Sequence, residues 1–294
     1  MSESSIVITG ANSYLGRVAI DYLRKHTPHR IVALISPRAT APATTDDRVS
    51  YLQADLAKAP TPEIAAALGQ AARVLHFAWT RSGSAEQVSQ ANRGMIEHLF
   101  AAMPDPSKLW FVSSVSASPK PFSVYGATKY EATQLVRSKG GSVLVCGLVV
   151  EPDPPRGPYK MLKKNVGRFP ISFRVTKGEP LVFPLRLDDL GATLAHVTTN
   201  DLAPGIYRMF SPPLGFNAFL GLLEQLAPRG RMRFPFSANL ALSAAALAKK
   251  SRVIPAKLCD QVLTFLYKDA DHLLSHSEIP GLTLRPCEDV SYFA

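Results

Sequence analysis

Apolar residues fall into two rhythms along the chain. Short continuous runs, Ile6-Val7-Ile8, Ile31-Val32-Ala33-Leu34-Ile35 and Leu109-Trp110-Phe111-Val112, have the length and composition of strands buried on both faces. After the first run, Val18, Ile20, Tyr22 and Leu23 follow helical spacing. Strand and helix in alternation predict an α/β fold, a Rossmann-type doubly wound parallel sheet. From Phe210 the pattern turns helical, with Leu220, Leu222, Leu223 and Leu226 on one stripe and Leu240, Leu242, Ala245 and Leu247 on another. Turn signals at Pro212-Pro213, Pro228-Arg229-Gly230 and Pro255 divide this region. We therefore expect a sheet unit over 1–155, with a return segment at about 185–210. A smaller, mainly helical C-terminal lobe takes 156–184 and 211–294.

The first strand runs into Thr9-Gly10-Ala11-Asn12-Ser13-Tyr14-Leu15-Gly16 and then into a helix. Strand, glycine turn and helix make a start suited to a dinucleotide. Gly10 allows a tight turn, Gly16 lets helix and strand pack closely, and the helix amino terminus offers unpaired N–H groups to a pyrophosphate. Ser13 stands where a middle glycine is usual. It narrows the approach of phosphate to the backbone, while its hydroxyl offers a hydrogen bond.

The second signal is Val124-Tyr125-Gly126-Ala127-Thr128-Lys129. Four residues apart on a helix means one face, so the Tyr125 phenol lies on the side of the Lys129 ammonium. A free phenol titrates near pH 10 and needs a nearby positive charge to work as an acid or base at neutral pH; Lys129 is the candidate. The strand ending at Val112 leads straight into Ser113-Ser114-Val115-Ser116, whose hydroxyls would face the crevice at the carboxyl end of a parallel sheet, together with Tyr125.

On these residues the chain resembles the short-chain dehydrogenase/reductase superfamily, in its extended branch, the NAD-dependent epimerase/dehydratase family. Further matches follow in order: Ala54-Asp55-Leu56, Leu75-His76-Phe77-Ala78-Trp79, Asn92, the serine segment, the Tyr-x-x-x-Lys helix and Leu187-Asp188-Asp189-Leu190. The resemblance implies cofactor contacts at Gly10, Asn12, Ser13, Tyr14, Leu15, Gly16, Asp55, Leu56, Phe77, Ala78, Trp79, Asn92, Tyr125 and Lys129. It implies catalysis by Ser114, Tyr125 and Lys129, with Ser116 in reserve for Ser114 and available to substrate. It further implies that Lys129 binds the nicotinamide ribose and that the enzyme is a homodimer packed through helices that include the Tyr125 helix. Two departures stand out. Val145-Cys146-Gly147-Leu148 replaces the family's Arg-Pro-Gly after the sixth strand, and the interval from Ser114 to Tyr125 is short and carries Pro119 and Pro121.

Charge and composition refine the picture. The 294 residues are 46% hydrophobic and carry a formal net charge of +10, which admits a polyanionic partner. Between Arg156 and Arg186 stand Lys160, Lys163, Lys164, Arg168, Arg174 and Lys177 against Glu179 alone. In the resembling family this stretch handles nucleotide diphosphates, so Lys160, Asn165 and Arg174 are candidate substrate residues, and a nucleotide diphosphate sugar is the expected partner rather than nucleic acid. An NAD site usually places a carboxylate at the end of the second strand, whereas this chain has Ile35-Ser36-Pro37-Arg38. Ser36 and Arg38, with Arg17 from the other side, favour NADP(H), with NAD(H) possible.

Three cysteines without a Cys-x-x-Cys pair point to reduced thiols. His272 and His276 share a helix face but have no third ligand at metal spacing, so no metal is expected. Val115 and Ser116 stand where a dehydratase needs an acid pair. The run from Asn239 to Ala248 is too short to span a bilayer and no charged-then-apolar leader precedes Ile6, so a cytoplasmic protein with no membrane partner is expected. Three readings remain: an NADPH-dependent reductase of a keto group on a nucleotide-linked sugar, a nucleotide-sugar epimerase, or a non-catalytic Rossmann cofactor sensor or nucleic-acid binder.

Overall fold

A computed structural model describes residues 4–42, 46–155, 157–168, 171–226, 232–240, 243 and 267–293. Seven strands form one parallel sheet: β1 (Ser5–Thr9), β2 (Arg30–Ile35), β3 (Val49–Gln53), β4 (Arg73–His76), β5 (Leu109–Val112), β6 (Ser142–Cys146) and β11 (Ile206–Met209). Their order is β3-β2-β1-β4-β5-β6-β11, so the winding reverses between β1 and β4. At such a reversal the connections leave on opposite faces and open a crevice at the carboxyl edge.

The continuous apolar runs are explained by two cores. Ile6 and Ile8 of β1 pack with Ala19, Ile20 and Leu23 of α1 (Tyr14–His26) and with Leu190 and Leu194 of α6 (Leu187–Thr199). Val7 points the other way, to Ile64 of α2 (Pro62–Gln70), Ile96 of α3 (Ala85–Ala102) and Val136 of α4 (Val124–Ser138). Both faces of the sheet are therefore dry, as period-two alternation of side chains requires when helices cover each side.

A third cluster lies beyond β6. Tyr159 and Val166 of α5 (Pro158–Arg168), Phe219 and Leu223 of α7 (Phe216–Gln225), and Phe293 gather over Val150 of β7 (Leu148–Val150). The chain returns to the sheet through β10 (Pro184–Arg186), which pairs with β7, and then α6. Asp189, 4% exposed, receives Nε and a terminal N of Arg285 at 2.8 and 2.6 Å and the Arg285 backbone N–H at 3.1 Å. The Leu187-Asp188-Asp189-Leu190 segment thus fastens the end of the described chain to the sheet unit.

The region beyond Phe210 differs in part from the helical pattern read from sequence. The first leucine stripe is α7, but Met232–Ser237 forms a strand, β13, parallel to β8 (Ile171–Lys177). Met232, Phe234 and Phe236 alternate with polar residues and Pro235, a period of two that overrides the helical expectation; a proline that cannot donate suits such an edge. Of the second stripe, Leu242, Ala245 and Leu247 lie outside the described residues, and Leu240 is 73% exposed rather than in a core. Among the described residues no helix is long and apolar enough to cross a membrane.

Candidate active site

The glycine turn is built as a cradle. Gly10 has φ of 64°, and a Cβ there would come within 2.6 Å of the Ala78 backbone nitrogen, so only glycine lets the β1 and β4 ends approach. Ser13 has φ of −72°, an ordinary value that needs no glycine, and its hydroxyl accepts the Gly16 N–H at 3.0 Å. The serine is the N-cap of α1, a role that sequence reasoning left out. No acidic residue occupies the first turn of α1, so its positive end is unopposed. Asn12 and Arg17 are exposed at the turn, Leu15 packs on the core, and the Tyr14 hydroxyl donates to Glu151 just after β7.

Beyond β2, Ser36 and Arg38 are exposed and no carboxylate follows the strand. Asp55 is exposed after β3 and pairs with Lys58 at 3.6 Å; Leu56 is half-buried, its carbonyl 3.1 Å from His98 Nδ1. Phe77 is buried and Ala78 forms the wall against Gly10. Asn92 is 1% exposed and spends both ends of its amide on the loop after β4, its Oδ1 accepting from Thr80 N at 3.0 Å and its Nδ2 donating to Thr80 O at 3.1 Å. It holds that loop to α3.

The catalytic candidates converge at the carboxyl ends of β4, β5 and β6. Ser123 caps α4 by accepting the Gly126 N–H at 3.1 Å, and Gly126, where any Cβ would strike the Ser116 carbonyl, lets the helix lie against the serine segment. This seats Tyr125 beside Ser114, whose hydroxyl favours the phenolate. Lys129 is 4% exposed. Its Nζ donates to the Val112 carbonyl at 2.8 Å and sits 3.9 Å from the centroid of the Trp79 ring and 4.4 Å from that of Phe111.

The charge beside the phenol is not the one read from the helix spacing. Arg81, on the loop after β4, places its guanidinium carbon 4.4 Å from the Tyr125 ring centroid. Burial raises the Tyr125 pKa, and the Arg81 charge, with hydrogen bonds from Ser114 and Arg81, opposes that rise. Lys129 is itself pushed well below its usual value by burial and by Arg81. No sequence spacing marks Arg81, because the loop conformation alone brings it onto α4. Two further titratable groups end β4 and β6. His76 is fully buried, its Nδ1 2.6 Å from the Thr9 hydroxyl, with a pKa lowered to about 3 by burial and by Lys129. Cys146 is pushed up to about 12 by burial.

His76 Nε2 and Trp79 Nε1 are buried without a hydrogen-bond partner among the described residues. An orphaned polar atom costs about 1–3 kcal/mol, so a polar ligand in this crevice is favoured. The glycine cradle, the positive end of α1 with no acidic residue in its first turn, and these two atoms fit a dinucleotide.

Candidate substrate residues are dispersed. Ser116 is half-buried at the crevice. Lys160, on α5, donates to the Pro155 carbonyl at 3.0 Å, and Asn165 is exposed on the same helix. Arg174 makes a two-pronged pair with Glu224 of α7 at 3.1 and 2.5 Å, so its charge is countered within the protein. Lys163 is turned inward to the carbonyls of Pro152 and Phe293. The basic run is thus partly structural. His272 and His276 lie with ring centroids 4.6 Å apart, and among the described residues no group of three His, Cys, Asp or Glu could hold a metal.

Known structures share this architecture. The terminal R domain of the myxalamid PKS-NRPS pathway has a TM-score of 0.69 at 16% identity over 99% of this chain and 89% of its own. The crystal structure of gox2253 gives 0.70 at 17% over 99% and 96%. UDP-glucose 4-epimerase from Thermotoga maritima, solved with UDP-glucose, gives 0.59 at 14% over 79% and 85%. At such identities these likenesses establish the fold alone. No curated protein matches the chain in sequence. The sequence pattern of the NAD dependent epimerase/dehydratase family, however, matches residues 6–212, well over half of the chain. The chain belongs to that family and is an NAD(P)-dependent enzyme.

Proposed function

We propose that this enzyme reduces a keto group on a nucleotide-linked sugar with NADPH. The observation that carries the reading is the Ser114 and Tyr125 hydroxyl pair held beside Arg81 at the carboxyl edge of β5. Two neighbouring hydroxyls suit a carbonyl oxygen that becomes an alkoxide. A nicotinamide, when bound, supplies or takes up a hydride at the carbon. Tyr125 breaks its O–H bond as the proton passes to the substrate oxygen, and in oxidation takes it back. Ser114 donates a hydrogen bond to the same oxygen and steadies the charge that builds there. Lys129 keeps N–H donors beyond the one given to Val112, for the ribose of the cofactor. Val115 and Ser116 supply no acid pair, which argues against dehydration.

Three exposed donors, Arg17, Ser36 and Arg38, and no carboxylate after β2 support NADP(H) over NAD(H). Nucleotide-linked substrates are supported by family membership, by structural neighbours solved with UDP-glucose and UDP-glucuronic acid, and by the exposed Lys160, Lys164 and Asn165 on α5. The dinucleotide unit is taken as 1–155 with its return at 185–210, and the remainder as substrate lobe. A homodimer through α4 is part of the reading. The same neighbours favour a second reading, an epimerase that oxidises and re-reduces one carbon with its cofactor retained.

Purification separates the two. Mass spectrometry and absorbance of a reductase show no tightly held NAD, and a panel of nucleotide-sugar and small ketones oxidises NADPH stoichiometrically. Bound NAD with interconversion of sugars and no net NADPH use replaces the first reading by the second. Dissociation constants for both cofactors test the NADP(H) preference, and tighter binding of NADH overturns it.

A further inference from the structure

We infer that Arg81 is the residue that sets the reactivity of Tyr125, a positioning charge delivered by the loop between β4 and α3 rather than by the helix that carries the tyrosine. The inference rests on the oxidoreductase reading of Tyr125 and adds a residue outside the Ser, Tyr and Lys set. Its basis is geometric. The Arg81 guanidinium carbon lies 4.4 Å from the Tyr125 ring centroid, while the Lys129 ammonium is engaged by the Val112 carbonyl and the faces of Trp79 and Phe111. A cation over an aromatic ring is attracted to it even while the phenol is neutral, and more strongly once the oxygen is negative.

The loop is built to hold that contact. Asn92, buried in α3, pins the backbone of Thr80 through both its N–H and its carbonyl, so the next residue emerges at a fixed point. Ser84 and Gln87 then close a capping box that starts α3 three residues farther on. Arg81 is thus held from both sides along the chain, although its own side chain is exposed.

The groups about the phenol act in different directions. Arg81 and the Ser114 hydroxyl favour the phenolate, and the Cys146 thiol at the end of β6 disfavours it. Lys129, one turn along α4, feels Arg81 as a like charge that lowers its own affinity for a proton. Arg81 therefore acts on both members of the Tyr-x-x-x-Lys pair at once.

The test reads the phenol itself. With tyrosine labelled by carbon-13 at Cζ and the Tyr125 signal assigned by its loss in Tyr125→Phe, the titration midpoint is followed in wild type, Arg81→Gln, Arg81→Lys and Lys129→Gln, each shown folded by circular dichroism. Arg81→Gln moves the Tyr125 midpoint up by about one pH unit, Arg81→Lys restores part of the shift, and the alkaline limb of the pH–rate profile moves with it. A midpoint unchanged in Arg81→Gln but raised in Lys129→Gln overturns the assignment. Because the titration needs no turnover, a shifted phenol in a protein that transfers no hydride supports the Arg81 assignment while refuting the oxidoreductase reading.

Discussion

Replacing Tyr125 by Phe removes one oxygen and leaves the ring under Arg81, so the substitution isolates proton transfer from packing. Turnover should fall about 10²–10⁴-fold, the usual contribution of a positioned acid or base, while the dissociation constant for NADPH stays within a few-fold. Full activity in steady-state kinetics would exclude the mechanism. Gly10 carries the complementary prediction. Its φ of 64° and the 2.6 Å approach to Ala78 mean that Gly10→Ala must both strain the turn and push β4 away, at about 1–3 kcal/mol. Weaker NADPH binding by calorimetry should accompany the lower unfolding midpoint. At this scale the sequence was legible wherever residue type and spacing suffice, as for Gly10, Ser114 and Tyr125. It was not legible for Arg81, because a loop residue joins a site through backbone conformation, which leaves no periodic trace. Nor was it for Arg174, whose partner Glu224 lies fifty residues away on another element.

Elements were readable where burial is two-sided or amphipathic over several turns. β1, β2 and β5 follow from their apolar runs, α1 from helical spacing and α4 from the Tyr-x-x-x-Lys spacing, whereas β3 and β11 left no run long enough to read. β13 escaped because three alternating apolar residues around a proline weigh little against a long leucine-rich surround. The ends of elements carry the sharper test. Ser13 was read as an intruder among glycines, yet it caps α1. Ser13→Ala should cost about 1 kcal/mol of stability by chemical denaturation. Ser13→Gly should cost only a few tenths, as a cap that keeps the backbone accessible. Equal losses in both would mean that the hydroxyl does not cap the helix.

The balance of protons between folded and unfolded chain gives a prediction for the whole molecule. His76 is lowered to about 3 from a usual 6.5 by burial, and His276 to about 4 by burial and by His272, so below pH 6.5 the unfolded chain takes up protons that the folded one refuses. Stability is therefore full above 6.5 and falls as the pH drops toward 3. For the fully buried His76 this costs about 1.4 kcal/mol per pH unit inside its window, and for the half-buried His276 less, because solvent screens its charge. On the alkaline side Cys146 and Tyr292 are raised to about 12 by burial, and Cys287, Tyr125 and Tyr159 are raised too, so above pH 9 the unfolded chain loses protons that the folded one keeps. Lys129 and Lys268 act oppositely, since their lowered values make the unfolded chain the better binder until pH 10.5. Tyr51 and Tyr267 are raised by burial as well, so among the described residues seven such groups stand against two, and stability measured by urea midpoint should peak between about pH 6.5 and 9. His76→Asn, whose amide reaches Thr9 as Nδ1 does now, should flatten the acid limb by about 2 kcal/mol between pH 6.5 and 5 while leaving the alkaline limb unchanged. An acid limb as steep in the variant as in the wild type would show that His76 already carries its proton in the fold, and with it that the crevice beside Lys129 is wetter and more polar than its apolar walls imply.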